Sequence, residues 1–217
     1  MEQVYEERRK QLLDDLSNMS EVAEEMLQNA IQALDEKDEE LAKDVINRDD
    51  VMDSYQVTIE EEVTRLLSLD KPLLSDTQYS IALVKISSDL ERIADHATNI
   101  AEIVLELRNE EYLQSLVMIP ELASIVKDML DVVLEAFITK NADLAEAACK
   151  QDERVDNIYD QIYHKNLKLV SDKEDLQNIN QVFQFTNVAK SLERIGDHAT
   201  NIGEETIFIL TKKRAKY

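Results

Sequence analysis

The sequence predicts an all-α protein made of two tandem, similar three-helix bundles that arose by internal duplication. Three observations predict it. The 217 residues include only two glycines and two prolines, too few for the turns of a sheet protein. Apolar residues recur at alternating steps of four and three, the seam of a helical bundle. And the chain repeats itself: "EMLQNAIQALDEKDEELAKDVINRDDVMD" from Glu25 matches "DMLDVVLEAFITKNADLAEAACKQDERVD" from Asp128 at a shift of 103 residues. The repeat divides the chain into residues 1–114 and 115–217, with a seam near Pro120.

Taken in order, the first half reads as helices over roughly 8–36, 39–68 and 76–110, and the second as helices over roughly 118–139, 142–169 and 173–212. Asp38 and Asn141 suit the N-caps of the second helix in each half. "SDTQ" at Ser75 and "SDKE" at Ser171 have the form of capping boxes for the third. The second helix has its seam through Leu41, Val45, Met52, Tyr55 and Ile59, and the third through Ile86, Leu90, Ile93, Ala97, Ile100, Val104 and Leu107. Short joins make neighbouring helices antiparallel, with the two bundles end to end or side by side.

Composition narrows the function. Asp plus Glu number 46 against 24 Lys plus Arg, a formal net charge of −22. Such a surface repels phosphate backbones, so no nucleic-acid partner is expected. It attracts cations and basic protein patches. The single Cys149 can form no internal disulfide, which suits a reducing compartment. No apolar run reaches the length of a membrane span, so no membrane insertion is expected.

One segment is repeated far more faithfully than the rest. "LERIADHATNIAE", Leu90 to Glu102, returns as "LERIGDHATNIGE", Leu192 to Glu204, with two of thirteen positions changed. Packing alone does not demand this, because cores accept apolar swaps of similar volume. The polar residues carry the constraint. Glu91 and Asp95 lie off the apolar seam, about 40° apart on the wheel and roughly 6 Å along the axis. Glu193 and Asp197 are their twins. On the preceding helix Asp49 and Asp53, with twins Asp152 and Asp156, form a second pair at the same spacing. Antiparallel neighbours would bring the pairs together as four carboxylates per half on an outer face. Stacked like charges disfavour a helix by themselves, and an oxygen-rich cluster is the donor set of hard and borderline cations. Iron is the leading expectation, with manganese, magnesium or zinc as alternatives. Any single acidic i, i+4 pair is ordinarily a solvated face, and Arg92 and Arg194 stand ready to form salt bridges instead. It is the register of four pairs that favours metal.

Asn99 and Glu102, with twins Asn201 and Glu204, continue the stripe of Glu91 and Asp95, and Asn99, His96, Asn201 and His198 are read as groups that support the metal ligands. The two histidines sit about 100° off the carboxylate row and are read as second-shell donors or as packing at a helix contact. His164 has no counterpart and is read as a surface residue. Gly196 and Gly203, the only glycines, replace Ala94 and Ala101 of the first half and are read as marking close helix approach. Cys149 is read as packing.

These motifs carry a resemblance. The duplicated thirteen-residue segment, each copy downstream of an Asp-x-x-x-Asp, closely resembles the PhoU family of phosphate-signalling regulators, over essentially the whole chain. The resemblance implies a cytoplasmic homodimer or larger assembly that carries metal clusters on the bundle surface and catalyses no reaction. It also implies a link between the ATPase of a phosphate ABC transporter and a sensor histidine kinase, restraining phosphate uptake when phosphate is plentiful. Two rival readings stand beside it. A di-metal carboxylate enzyme needs Glu-x-x-His facing the bundle interior, whereas Ile93 and Ile195 stand three residues before His96 and His198 here. A metal-free acidic helical adaptor would use the same rows to dock basic partners.

Overall fold

The computed structural model describes residues 2–68, 74–112, 118–172 and 179–217. Eight helices and no strand occur among them. They are α1 (Glu2–Glu36), α2 (Glu39–Asn47), α3 (Asp49–Ser68), α4 (Leu74–Glu106), α5 (Ile119–Thr139), α6 (Ala142–Cys149), α7 (Asp152–Asp172) and α8 (Ile179–Thr211). The third-helix seam is buried from Ile86 to Leu107. Val45, Met52 and Ile59 of the second rod are also buried, and Leu41 and Tyr55 pack partly buried against them.

The duplication is visible at the helix ends. Lys37 and Lys140, twins at a shift of 103, both adopt the left-handed conformation, at φ 56° and 55°. The residues after them return to α1 and α5 in the 6→1 bond of a Schellman turn, Asp38 N–H to Ala33 C=O at 3.0 Å and Asn141 N–H to Ala136 C=O at 2.9 Å. The same two residues cap the next helices, α2 and α6. Asp38 accepts from the amides of Glu40 and Leu41, and Asn141 from that of Leu144.

The expected second helix is broken in both halves. The first-half rod stops at Asn47 and restarts at Asp49, and the second-half rod stops at Cys149 and restarts at Asp152. Arg48 and Gln151 are the joints: their carbonyls accept the first bonds of α3 and α7, from Val51 at 3.0 Å and Arg154 at 2.9 Å. No glycine or proline marks either joint, so local sequence does not reveal it. Smaller differences lie at the ends. α1 begins at Glu2, α4 ends at Glu106, and α7 runs on to Asp172 through the Ser171 expected to open the next helix. The Ser75 and Ser171 side chains, residues 173–178 and the boundary after residue 114 lie outside the described residues.

The halves lie side by side, with α4 against α8 as the most extensive contact in the molecule. The two helices are antiparallel. Along α4, Lys85 pairs with Glu205, Asp89 with Asn201 and Glu106 with Gln184, in opposite chain order. His96 and its twin His198 meet near the crossing with ring centroids 5.9 Å apart, as a pseudo-twofold axis requires. One apolar core, from Leu12 of α1 to Ile202 of α8, runs through both halves.

Candidate metal centre

The eight carboxylates fall into two groups of four. The break in the second rod makes Asp49 and Asp152 the first residues of α3 and α7. There the free amides and the positive end of the helix favour a carboxylate. Each is held by a threonine from the facing long helix: Thr98 Oγ1 donates to Asp49 at 3.3 Å and Thr200 Oγ1 to Asp152 at 3.1 Å. These threonines belong to the repeated segment, but the sequence alone does not single them out, because a hydroxyl on a helix most often bonds its own backbone.

The charges are close enough to act on one another. Burial raises the Asp49 carboxyl above its ordinary range, and Asp95 and Asp53 raise it further. Burial likewise raises Glu91, with Asp95, Asp53 and Asp49 adding to it and Arg92 opposing. In the second half burial raises Asp152, opposed by Thr200 and reinforced by Asp156, Asp197 and Glu193. Burial and Asp197 raise Asp156. Asp53 and Asp156 are exposed, whereas the side chains of Glu91 and Glu193 are 13% and 12% exposed. In each half the Oε2 of that glutamate is buried without a hydrogen bond, and only the neighbouring arginine Nε stands near it, at 3.4 Å from Glu91 and 3.6 Å from Glu193.

Cations already lie alongside. Arg92 reaches Asp95 at 3.0 Å and Glu91 at 3.4 Å. Arg194 reaches Asp197 at 2.8 Å and Glu193 at 3.6 Å, and Lys190 lies 2.8 Å from Glu193. No three carboxylate, imidazole or thiol groups among the described residues converge closely enough to hold one ion. The all-oxygen donor set and the orphaned glutamate oxygens fit a hard cation. In this conformation the carboxylates do not close on one.

The neighbouring residues separate into different roles. Asn99 and Asn201 are exposed. His198 Nδ1 and Asn201 both bond Asp89, at 2.9 and 3.2 Å. Sequence reading overlooked Asp89 because its twin position holds Ser191. His96 packs at the α4–α8 contact, where burial and then His198 lower its pKa to about 4. His164 is exposed. Cys149 is buried, and burial pushes its thiol up to about 12, which leaves it inert. Gly203 lies against that thiol, with no room for a Cβ, and a Cβ on Gly196 would come within 3.2 Å of Val155. Both glycines therefore mark close helix approach.

With this geometry in view, comparison with known proteins is decisive. The family model "PhoU domain" matches the chain twice, over residues 16–104 and 119–206. The chain belongs to the PhoU family. The phosphate-specific transport system accessory protein PhoU homolog of Clostridium acetobutylicum is 36% identical over 212 residues, covering 97% of this chain and 96% of that one. PhoU homolog 1 of Thermotoga maritima is 34% identical over 222 residues, covering 100% and 93%. The crystal structure of PhoU from Pseudomonas aeruginosa superposes with a TM-score of 0.93 at 30% identity, covering 96% of this chain and 100% of that one. The phosphate transport system regulatory protein PhoU from Streptococcus pneumoniae gives 0.89 at 28% identity, covering 98% and 100%. PhoU proteins are accessory and regulatory proteins of phosphate transport and not enzymes. No helix among the described residues is long and apolar enough to cross a membrane.

Proposed function

We propose that this PhoU-family protein is a cytoplasmic, metal-binding negative regulator of phosphate uptake. It acts as a homodimer between the ATPase of a phosphate ABC transporter and a sensor histidine kinase. The regulatory part rests on family membership and on the names its relatives carry. The metal part rests on one observation: four carboxylates lie near one another in each half, and burial and neighbouring carboxylates raise the pKa of Asp49 and Glu91 in the first and of Asp152 and Asp156 in the second. Asp49, Asp53, Glu91 and Asp95 would hold one metal group, and Asp152, Asp156, Glu193 and Asp197 the other, with iron first among the candidates. A bound cation neutralises the repulsion and occupies the orphaned glutamate oxygens. In this reading Arg92 and Arg194 withdraw when metal enters.

A second reading keeps the protein metal-free, an acidic adaptor whose rows dock basic partners, with Arg92 and Arg194 showing that these carboxylates accept basic side chains. Metal analysis separates the two. Protein purified without affinity tag or chelator should carry metal, and Glu91→Ala/Asp95→Ala/Glu193→Ala/Asp197→Ala should carry little. Equal content in both overturns the metal reading. In cells, deletion should raise phosphate uptake and starvation-gene expression in high phosphate. Parental behaviour would contradict the regulatory reading.

A further inference from the structure

At the end of the molecule where α1 and α4 of one half meet α5 and α8 of the other lies a cavity of about 230 Å³. A second of about 210 Å³ shares its Tyr79, Phe137 and Lys140 walls. Three cations line the first, Arg9, Lys140 and Lys212, against one carboxylate there, Asp76, and one in the second, Asp14. In a chain of net charge −22 a cleft with excess positive charge runs against composition. We propose that this cleft binds a small organic anion, with its charged head among Arg9, Lys140 and Lys212 and its apolar body against Tyr79, Phe137 and Ile209.

The side chains around the cleft support this assignment. Three non-glycine residues among those described have positive φ: Lys37, Lys140 and Lys212. Each closes a helix, Lys37 and Lys140 in Schellman turns and Lys212 with its N–H on Phe208 C=O at 2.9 Å, so the helix ends account for the conformation. Lys37 has partners for its ammonium, donating to Glu110 C=O at 2.9 Å and standing 4.2 Å from the centroid of the Tyr112 ring. Its twin Lys140, like Lys212, has no ion-pair partner among the described residues, and both line the cavity. The negative ends of α5 and α8 favour cations at these two positions, but they do not explain Arg9. That residue comes from α1 and lies over the Tyr79 ring at 4.9 Å, and its one ion pair among the described residues is a long one, to Glu6 at 3.8 Å. Thr206 adds a latent donor in the same wall. Thr58, Thr64, Thr139 and Thr211 bond the carbonyl four residues back, whereas the Thr206 hydroxyl is buried with no partner. An apolar cleft with a few convergent polar groups is the usual form of a small-ligand site. Guanidinium and ammonium groups recognise phosphate and carboxylate heads.

The test uses the full chain stripped of metal, with the chelator then removed, so it does not depend on the carboxylate clusters. Calorimetric titration with hexyl phosphate should give binding at least about tenfold tighter than with inorganic phosphate or hexanol. The Lys140→Gly/Lys212→Gly variant removes both charges while suiting the left-handed backbone. It should melt no lower than wild type and bind hexyl phosphate about tenfold more weakly. Arg9→Met should also weaken binding. The inference is overturned by any of three results: no heat with hexyl phosphate at about 1 mM, equal affinity for inorganic phosphate, or undiminished affinity in the folded double variant.

Discussion

At the residue scale, near-identical twins have unequal tolerances. The first half holds Ala101 where the second holds Gly203, and there Cys149 stands where a methyl would sit. Gly203→Ala should therefore destabilise by about 1–3 kcal/mol through overpacking, and Cys149→Ala should recover much of that loss. Additive effects in a thermal double-mutant cycle would contradict the contact. Gly196→Ala, which meets the Val155 methyl at 3.2 Å, should be milder. His96 makes a second case. Burial and then His198 lower its pKa from 6.5 to about 4, so it folds in the neutral form. Stability tied to this group is therefore lost as pH falls from 6.5 toward about 4. A ring-proton NMR titration should show His96 unprotonated through mildly acidic pH, and an ordinary midpoint near 6.5 would contradict the packing.

At the element scale, the joints at Arg48 and Gln151 matter more than helix length. An unbroken second helix would leave Asp49 and Asp152 as mid-helix residues. The restart gives each a helix N-terminus and turns it toward Thr98 or Thr200. Asp38 and Asn141 fix where each broken rod begins, so Asp38→Ala and Asn141→Ala should each cost about 1 kcal/mol by chemical denaturation. Both lie one short helix away from the carboxylates. Metal content per folded molecule should remain that of wild type, and a parallel loss of metal would mean that cap and site are coupled.

At the scale of the whole molecule, the clusters sit on a chain whose net charge of −22 already opposes compaction. Asp49, Glu91, Asp152 and Asp156 have raised folded pKa values. In metal-free protein the folded state therefore binds protons that the unfolded state does not. These groups should add stability as pH falls from neutrality toward their ordinary values of 3.8 and 4.5, opposite in sign to His96. Glu91→Gln/Asp152→Asn should flatten that gain. Metal-loaded protein should show the reverse slope, because protonating the ligands releases the ion. Chelation at neutral pH should lower the melting temperature more than an equal change in ionic strength does. An unchanged melt after verified metal removal would rule out a stabilising role.

Much of this molecule was legible in the sequence. Helical class, the duplication, the apolar seams and the caps at Asp38 and Asn141 follow from local rules of periodicity and hydrogen bonding, which act within one turn of chain. The eight carboxylates were legible because the duplication displayed them twice in register. Tertiary packing decided the rest. The joints at Arg48 and Gln151 carry no glycine or proline, and the segments on either side pack against one long helix, α4 in the first half and α8 in the second. Asp89 escaped notice because its partners, His198 and Asn201, lie more than a hundred residues away and its own twin is a serine. The cleft of Arg9, Lys140 and Lys212 is drawn from three remote segments. No periodicity links them, and only the side-by-side docking of α4 on α8 brings them to one end of the molecule.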